Sequence, residues 1–165
     1  MIPLEIERKF LIEQSPELDM HCDTSIDIVQ IYLVRTDENV QRRIRSMASE
    51  GLTKYYYTEK RFVSAAVREE NEREISAEEF TGLMNEADKS LVPIIKTRKI
   101  LNYENQRFEI DIYPFSDTLA TMELELRSEN QTIALPPFVT VLKEVTGDKE
   151  YSNAVLAVKM NFPST

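Results

Sequence analysis

Charged residues two positions apart recur along this chain, beginning with Glu5, Glu7 and Lys9 in the run EIERKF. Successive side chains of a strand point to opposite faces, so Glu5 and Glu7 would stand roughly 7 Å apart on one face, with Ile6 and Phe10 on the other. At an effective dielectric of about 20, two charges at that distance repel by roughly 2 to 3 kcal/mol, whereas in water the cost is well below ~1 kcal/mol. The pair is harmless in solvent and costly in an enclosure. The same spacing joins Arg43 to Arg45, Arg68 to Glu70 and Glu72, Lys96 to Arg98, Glu109 to Asp111, and Glu123 to Glu125. With Lys60, this makes eight carboxylates and seven cations on seven candidate strands. Grouped carboxylates are ligands for hard divalent cations, and grouped arginines and lysines are ligands for phosphate oxygens. Both sets in one enclosure would suit a metal-bound polyphosphate.

Positioning these groups takes a sheet. Alternating segments bounded by polar turns place strands near 3–12, 27–35, 40–48, 53–62, 66–75, 93–103, 106–113, 119–127 and 138–145. Ser76-Ala77-Glu78-Glu79 has the form of a capping box, and Phe80, Leu83, Met84 and Ala87 follow at helical spacing, which predicts a helix over 77–89. A second helix is expected from near Ser152 through Val155, Leu156 and Val158. Ile6, Ile44, Ile110, Ile112, Leu124 and Leu126 supply an apolar face for helices to cover. If the sheet closes, the fold is mainly β, an antiparallel barrel with helices outside and its charged face lining the lumen. An open sheet with a solvated face would share the spacing, but usually with Thr, Ser, Gln and Asn mixed among the charges.

Composition narrows the function classes. A chain of 165 residues with 42% hydrophobic content suits one domain over 1–165. The net charge of −9 argues against a general nucleic-acid or anionic-membrane binder unless the basic residues gather in one place. No long apolar stretch or leader-like start is present, and a single cysteine forms no internal disulfide, so a cytoplasmic protein is expected. His21 and Cys22 are read as surface residues, since there is no second His or Cys to complete a zinc site. With three glycines there is no glycine-rich phosphate loop. Phosphate recognition would fall to side chains.

Taken in order, the motifs resemble the CYTH family, the triphosphate tunnel metalloenzymes. Glu5-Ile6-Glu7-Arg8-Lys9 is similar to that family's E-x-E-x-K signature. The resemblance continues through Gln30-Ile31-Tyr32-Leu33, Arg43-Ile44-Arg45, Thr58-Glu59-Lys60, Arg68-Glu69-Glu70-Asn71-Glu72, Lys96-Thr97-Arg98, Glu109-Ile110-Asp111, Glu123-Leu124-Glu125 and Glu144-Val145-Thr146-Gly147-Asp148. It implies a closed antiparallel barrel of eight strands forming a tunnel, with Mg²⁺ or Mn²⁺ as cofactor. It further implies that Glu5, Glu7, Asp111, Glu123 and Glu125 hold metal, and that Arg43, Arg45, Lys60, Lys96 and Arg98 cradle the phosphates with Arg68 as a further contact. Lys9 would orient the phosphate or the attacking water. Glu70, Glu72 and Glu109 would support the basic residues or a second metal. Arg8 belongs to the opposite face and should matter little.

The implied activity is metal-dependent hydrolysis of inorganic triphosphate or a related compound. A family-type adenylyl cyclase acting on ATP is the alternative within the enzymes, with thiamine triphosphatase weaker for want of a tryptophan. A non-catalytic polyphosphate or nucleotide sensor is the alternative from another class. The implied partner is a small-molecule triphosphate, with no nucleic acid and no membrane, and a homodimer is admitted. Many relatives carry an arginine where this chain has Glu150, and often have glycine after the Lys60 position and near 114–115, where this chain has Arg61, Pro114 and Phe115. Those departures bear on the tunnel mouths and so on substrate choice.

Overall fold

The computed structural model describes residues 4–164, so the expected start of the first strand at residue 3 lies outside the described residues. Nine strands form one antiparallel sheet: β1 (Leu4–Glu13), β2 (Thr24–Leu33), β3 (Val40–Ser49), β4 (Leu52–Phe62), β5 (Val67–Ile75), β6 (Ile94–Tyr103), β7 (Gln106–Ile112), β8 (Leu119–Leu126) and β9 (Val141–Glu144). Their order is β5-β4-β3-β2-β6-β7-β8-β1-β9, and an additional β5–β1 pairing closes eight of them into a barrel. The closure is short. Among the described residues, Leu4, Glu5 and Ile6 pair with β5, through Glu69, Arg68 and Val67. Farther along the same edge of β1, β9 takes over, with Phe10 opposite Glu144 and Ile12 opposite Val141.

Two tight hairpins fix the register of the long strands. Ser49 pairs with Leu52 across Glu50-Gly51, and Tyr103 pairs with Gln106 across Glu104-Asn105. All four turn residues have positive φ, the signature of the turn whose twist matches that of the flanking strands. Glycine suits that geometry freely. Glu50, at φ 53°, adopts it against the preference of its side chain.

Alternation then sorts the faces. Phe10, Ile12, Leu101, Phe108, Ile110, Met122 and Leu124 pack outside the barrel under α1 (Pro16–His21), which contributes buried Leu18. Ser15 caps α1 by accepting a hydrogen bond from the Leu18 amide, with Pro16 at the first turn. On another outer face, Leu33, Ile44 and Ile75 pack against Phe80 and Leu83 of α2 (Ala77–Leu83).

The helix expected over 77–89 is therefore shorter. Residues Met84–Glu86 tighten into a 3-10 turn, after which Ala87 bridges to Leu33 and the Asp88 amide donates to the Tyr32 carbonyl. This recruitment to the edge of β2 ends the helix and leaves Met84 46% exposed rather than packed on the barrel.

The third helix, α3 (Asn153–Lys159), starts at the expected Ser152 cap. Unlike α1 and α2, it packs on residues of the lumenal face. Leu156 contacts Tyr32, Ile94 and Tyr113, while Phe162 adds to that cluster and to Leu11, Val145 and Tyr151. One end of the lumen is thus filled with apolar side chains, and the charged remainder is open. Among the described residues no helix is long and apolar enough to cross a membrane.

Candidate active site

The open part of the lumen is a cavity of about 1060 Å³. Glu5, Glu7 and Lys9 of β1 reach it, as do Glu123 and Glu125 of β8 and Glu109 of β7. Arg43 and Arg45 of β3, Lys60 of β4, Arg68, Glu70 and Glu72 of β5, and Arg98 of β6 line it as well. Lys96 and Asp111 do not reach the cavity. Their side chains are each 1% exposed and lie behind Arg98.

The register places like charges side by side. Glu7 is opposite Glu125, and Glu109 is opposite Glu123. Directly opposed like charges destabilise a sheet, so this wall calls for a cation. The charge of Glu123, with burial behind it, pushes the Glu7 carboxyl up to about 8. Burial also raises Glu5, and burial together with the nearby Glu5 raises Glu125. Burial on its own would raise Glu123, but Lys9, 3.3 Å away, together with Arg98 and Lys96, holds it down to about 2. Lys60 answers part of the remaining charge, lying 2.7 Å from Glu5 Oε2 and donating to Oε1 at 3.1 Å. Among the described residues no three Asp, Glu, His or Cys side chains are drawn together as a preformed coordination sphere. The donor set is nonetheless that of a hard divalent cation: oxygen ligands with a proton affinity raised by one another's charge.

The opposite wall has the reverse excess. Arg43 and Arg45 are almost wholly buried, and the Nε of each has no hydrogen-bond acceptor. Arg45 donates from Nη2 to Glu72 at 2.7 Å, and Thr58 donates to the same Glu72 oxygen. Burial and the neighbouring charge of Arg43 lower Arg45 to about 10. Buried guanidinium donors without acceptors are costly, and a phosphate oxygen is the acceptor their geometry suits.

Beneath this wall sits a compact ionic group. Arg98 donates from Nε and Nη2 to the two oxygens of Asp111 at 2.8 and 3.0 Å, and Lys96 donates to Oδ2 at 2.7 Å. Burial alone would raise Asp111, but Arg98 and Lys96 hold its carboxyl far below the usual range. Burial lowers Lys96 to about 8 despite Asp111. Asn153, at the start of α3, accepts from both Lys96 and Tyr113 and covers the group from the lumen.

Several wall residues carried no assigned role in the sequence reading. Tyr32, buried and hydrogen-bonded by Gln30, lies among the cations, and Arg35, Gln41 and Thr146 also line the cavity. Tyr32 and Thr146 fall inside motifs that signalled the family, but alternation marks neither as chemical.

The family model for the CYTH domain matches residues 3–144. The chain belongs to the CYTH family. An inorganic triphosphatase of Nitrosomonas europaea (strain ATCC 19718 / CIP 103999 / KCTC 2705 / NBRC 14298) is 29% identical over 158 residues, covering 94% of this chain and 98% of that protein. The crystal structure of the inorganic triphosphatase NE1496 is similar with a TM-score of 0.57 at 28% identity, covering 99% of each chain. The PH1819 protein from Pyrococcus horikoshii OT3 is similar in fold at 17% identity, with a TM-score of 0.58, covering 76% of this chain and 80% of that one.

Proposed function

We propose that this CYTH protein is a divalent-metal-dependent triphosphatase whose substrate is inorganic triphosphate. The observation that carries the reading is the division of one cavity into a cationic wall with unanswered guanidinium donors and a carboxylate wall with excess charge. The full-length similarity to an inorganic triphosphatase supports it. Arg43, Arg45, Lys60, Arg68 and Arg98 bind the phosphate chain from several sides and neutralise it. Glu5, Glu7, Glu123 and Glu125 are the residues that would hold Mg²⁺ or Mn²⁺, which when bound supplies charge neutralisation to the phosphate oxygens and lowers the pKa of a water ligand. Lys9, beside Glu123, orients the terminal phosphate or its attacking water. A loose phosphoryl-transfer transition state asks chiefly for positioning and charge, which these side chains supply. Asp111 and Lys96 serve from behind, by fixing Arg98.

The test is incubation of the protein with Mg²⁺ or Mn²⁺ and, separately, inorganic triphosphate, ATP and thiamine triphosphate, with products followed by phosphorus NMR. Orthophosphate and pyrophosphate from inorganic triphosphate are expected, and Glu7→Gln and Glu125→Gln should each abolish that turnover while the protein stays folded. Cyclic AMP and pyrophosphate from ATP would establish a cyclase instead. Tight triphosphate binding without turnover under either metal would establish a sensor.

A further inference from the structure

β5 leaves the edge of β1 just before the catalytic centre: its last contact is the Glu7 amide donating to the Ala66 carbonyl. Lys9 would then have an open backbone edge, and unpaired backbone groups are costly away from water. Residues 144–151 fill the gap, almost all of them beyond the matched CYTH domain, which ends at residue 144. The Val145 amide donates to the Lys9 carbonyl at 2.8 Å, and the Lys9 amide donates to Thr146 Oγ1 at 2.9 Å. Lys9 Nζ donates to the Tyr151 carbonyl at 2.8 Å. One short segment therefore holds Lys9 by its amide, its carbonyl and its ammonium.

The Thr146 hydroxyl is itself directed from outside the barrel. Its single proton goes to Glu144 Oε2 at 2.7 Å, which leaves a lone pair for the Lys9 amide. Glu144 is gripped through both oxygens by Arg8, whose Nε donates to Oε2 at 3.0 Å. Close by, Gly147 at φ +72° lies so near the hairpin before β5 that a Cβ there would come within 2.8 Å of the Ala65 Cβ, so the segment has little room to settle elsewhere.

We infer that Arg8, Glu144 and Thr146 form a positioning unit that reaches through the barrel wall to hold Lys9. This inference rests on the role of Lys9 proposed above, and it gives Arg8 an importance that its outward face does not suggest. Arg8 touches no reacting atom. It orients Glu144, Glu144 orients the Thr146 hydroxyl, and that hydroxyl fixes the backbone of Lys9.

The experiment compares wild type, Thr146→Val, Thr146→Ser, Arg8→Gln and the double variant Arg8→Gln/Thr146→Val. Two readouts are used: steady-state turnover of inorganic triphosphate with Mg²⁺, and hydrogen exchange of the Lys9 amide in the protein without ligand. Thr146→Val should lower kcat on the order of 10- to 100-fold, as expected for a misplaced catalytic group, with KM little changed. Thr146→Ser should restore most of it. The Lys9 amide should exchange faster in Thr146→Val and in Arg8→Gln. The double variant should be little worse than Thr146→Val, since both act through one chain of contacts. Unchanged exchange at Lys9 in folded Thr146→Val, or kcat and KM losses that Thr146→Ser does not recover, would overturn the proposal. A wild-type protein inert toward triphosphate, with exchange at Lys9 still dependent on Thr146, would overturn the functional reading and leave the positioning of Lys9 standing.

Discussion

Asp111 shows what spacing along a strand reveals and what it hides. Alternation places it on the lumenal face with Glu109, and a carboxylate on that face reads as a metal ligand. The structure spends both its oxygens on Arg98 and Lys96, under the cover of Asn153 from a helix some forty positions away in sequence. Which face a side chain takes is local; whether it reaches the cavity depends on what lies over it. The consequence is measurable. Asp111→Asn removes one partner of a buried ionic group, a change that typically costs about 3 to 5 kcal/mol, so the midpoint of thermal unfolding should drop clearly. Because Arg98 loses its anchor, KM for inorganic triphosphate should rise while the Mg²⁺ concentration for half-maximal activity stays near the wild-type value. A large increase in that Mg²⁺ concentration would return Asp111 to the carboxylate set.

At the scale of elements, the nine strands were legible because apolar and charged residues alternate so cleanly, whereas alternation left closure of the sheet open and the closed barrel was an expectation from the family resemblance, which the β5–β1 pairing bears out. The missed α1 had its own signals in Ser15, Pro16 and Glu17, masked by a polar stretch too short to show helical periodicity. The overlong helix at 77–89 has a different cause. Phe80 and Leu83 do form its buried stripe, but the backbone of Glu86 to Asp88 is captured by β2, a tertiary contact that no periodicity reports. Turn chemistry shows the opposite case, where structure departs from local preference. Glu50 occupies a left-handed position in a two-residue hairpin for which Asn-Gly is the favoured pair. Glu50→Asn should therefore stabilise the protein by about 1 kcal/mol, read as a higher denaturation midpoint in urea with an unchanged slope. A lower midpoint would mean that Glu50 makes a compensating interaction in the folded state.

For the whole molecule, the carboxylate wall couples stability to pH. Glu7 has an ordinary value of 4.5 and is raised to about 8 in the folded chain, first by Glu123 and then by burial, and Glu5 and Glu125 are shifted in the same direction. Between those two values the folded chain retains a proton that the unfolded chain has released, so stability falls as pH rises through this window. The other large shifts act elsewhere. Glu123, lowered to about 2, contributes stability that is lost as pH falls below its ordinary 4.5, and Lys96, lowered from 10.5 to about 8, makes stability rise with pH only above about 8. With metal chelated, the unfolding midpoint should accordingly decline from about pH 5 to about pH 8. Glu7→Gln, which removes the proton acceptor and keeps the shape, should flatten that decline. A divalent cation bound by the same carboxylates stabilises the folded state by mass action and competes with the proton on Glu7. Added Mg²⁺ should thus raise the midpoint more at pH 8 than at pH 5, with net release of protons detectable in weak buffer. A midpoint rising steadily from pH 5 to pH 8 without metal, or an Mg²⁺ effect equal at both pH values, would contradict a carboxylate wall held in waiting for a cation.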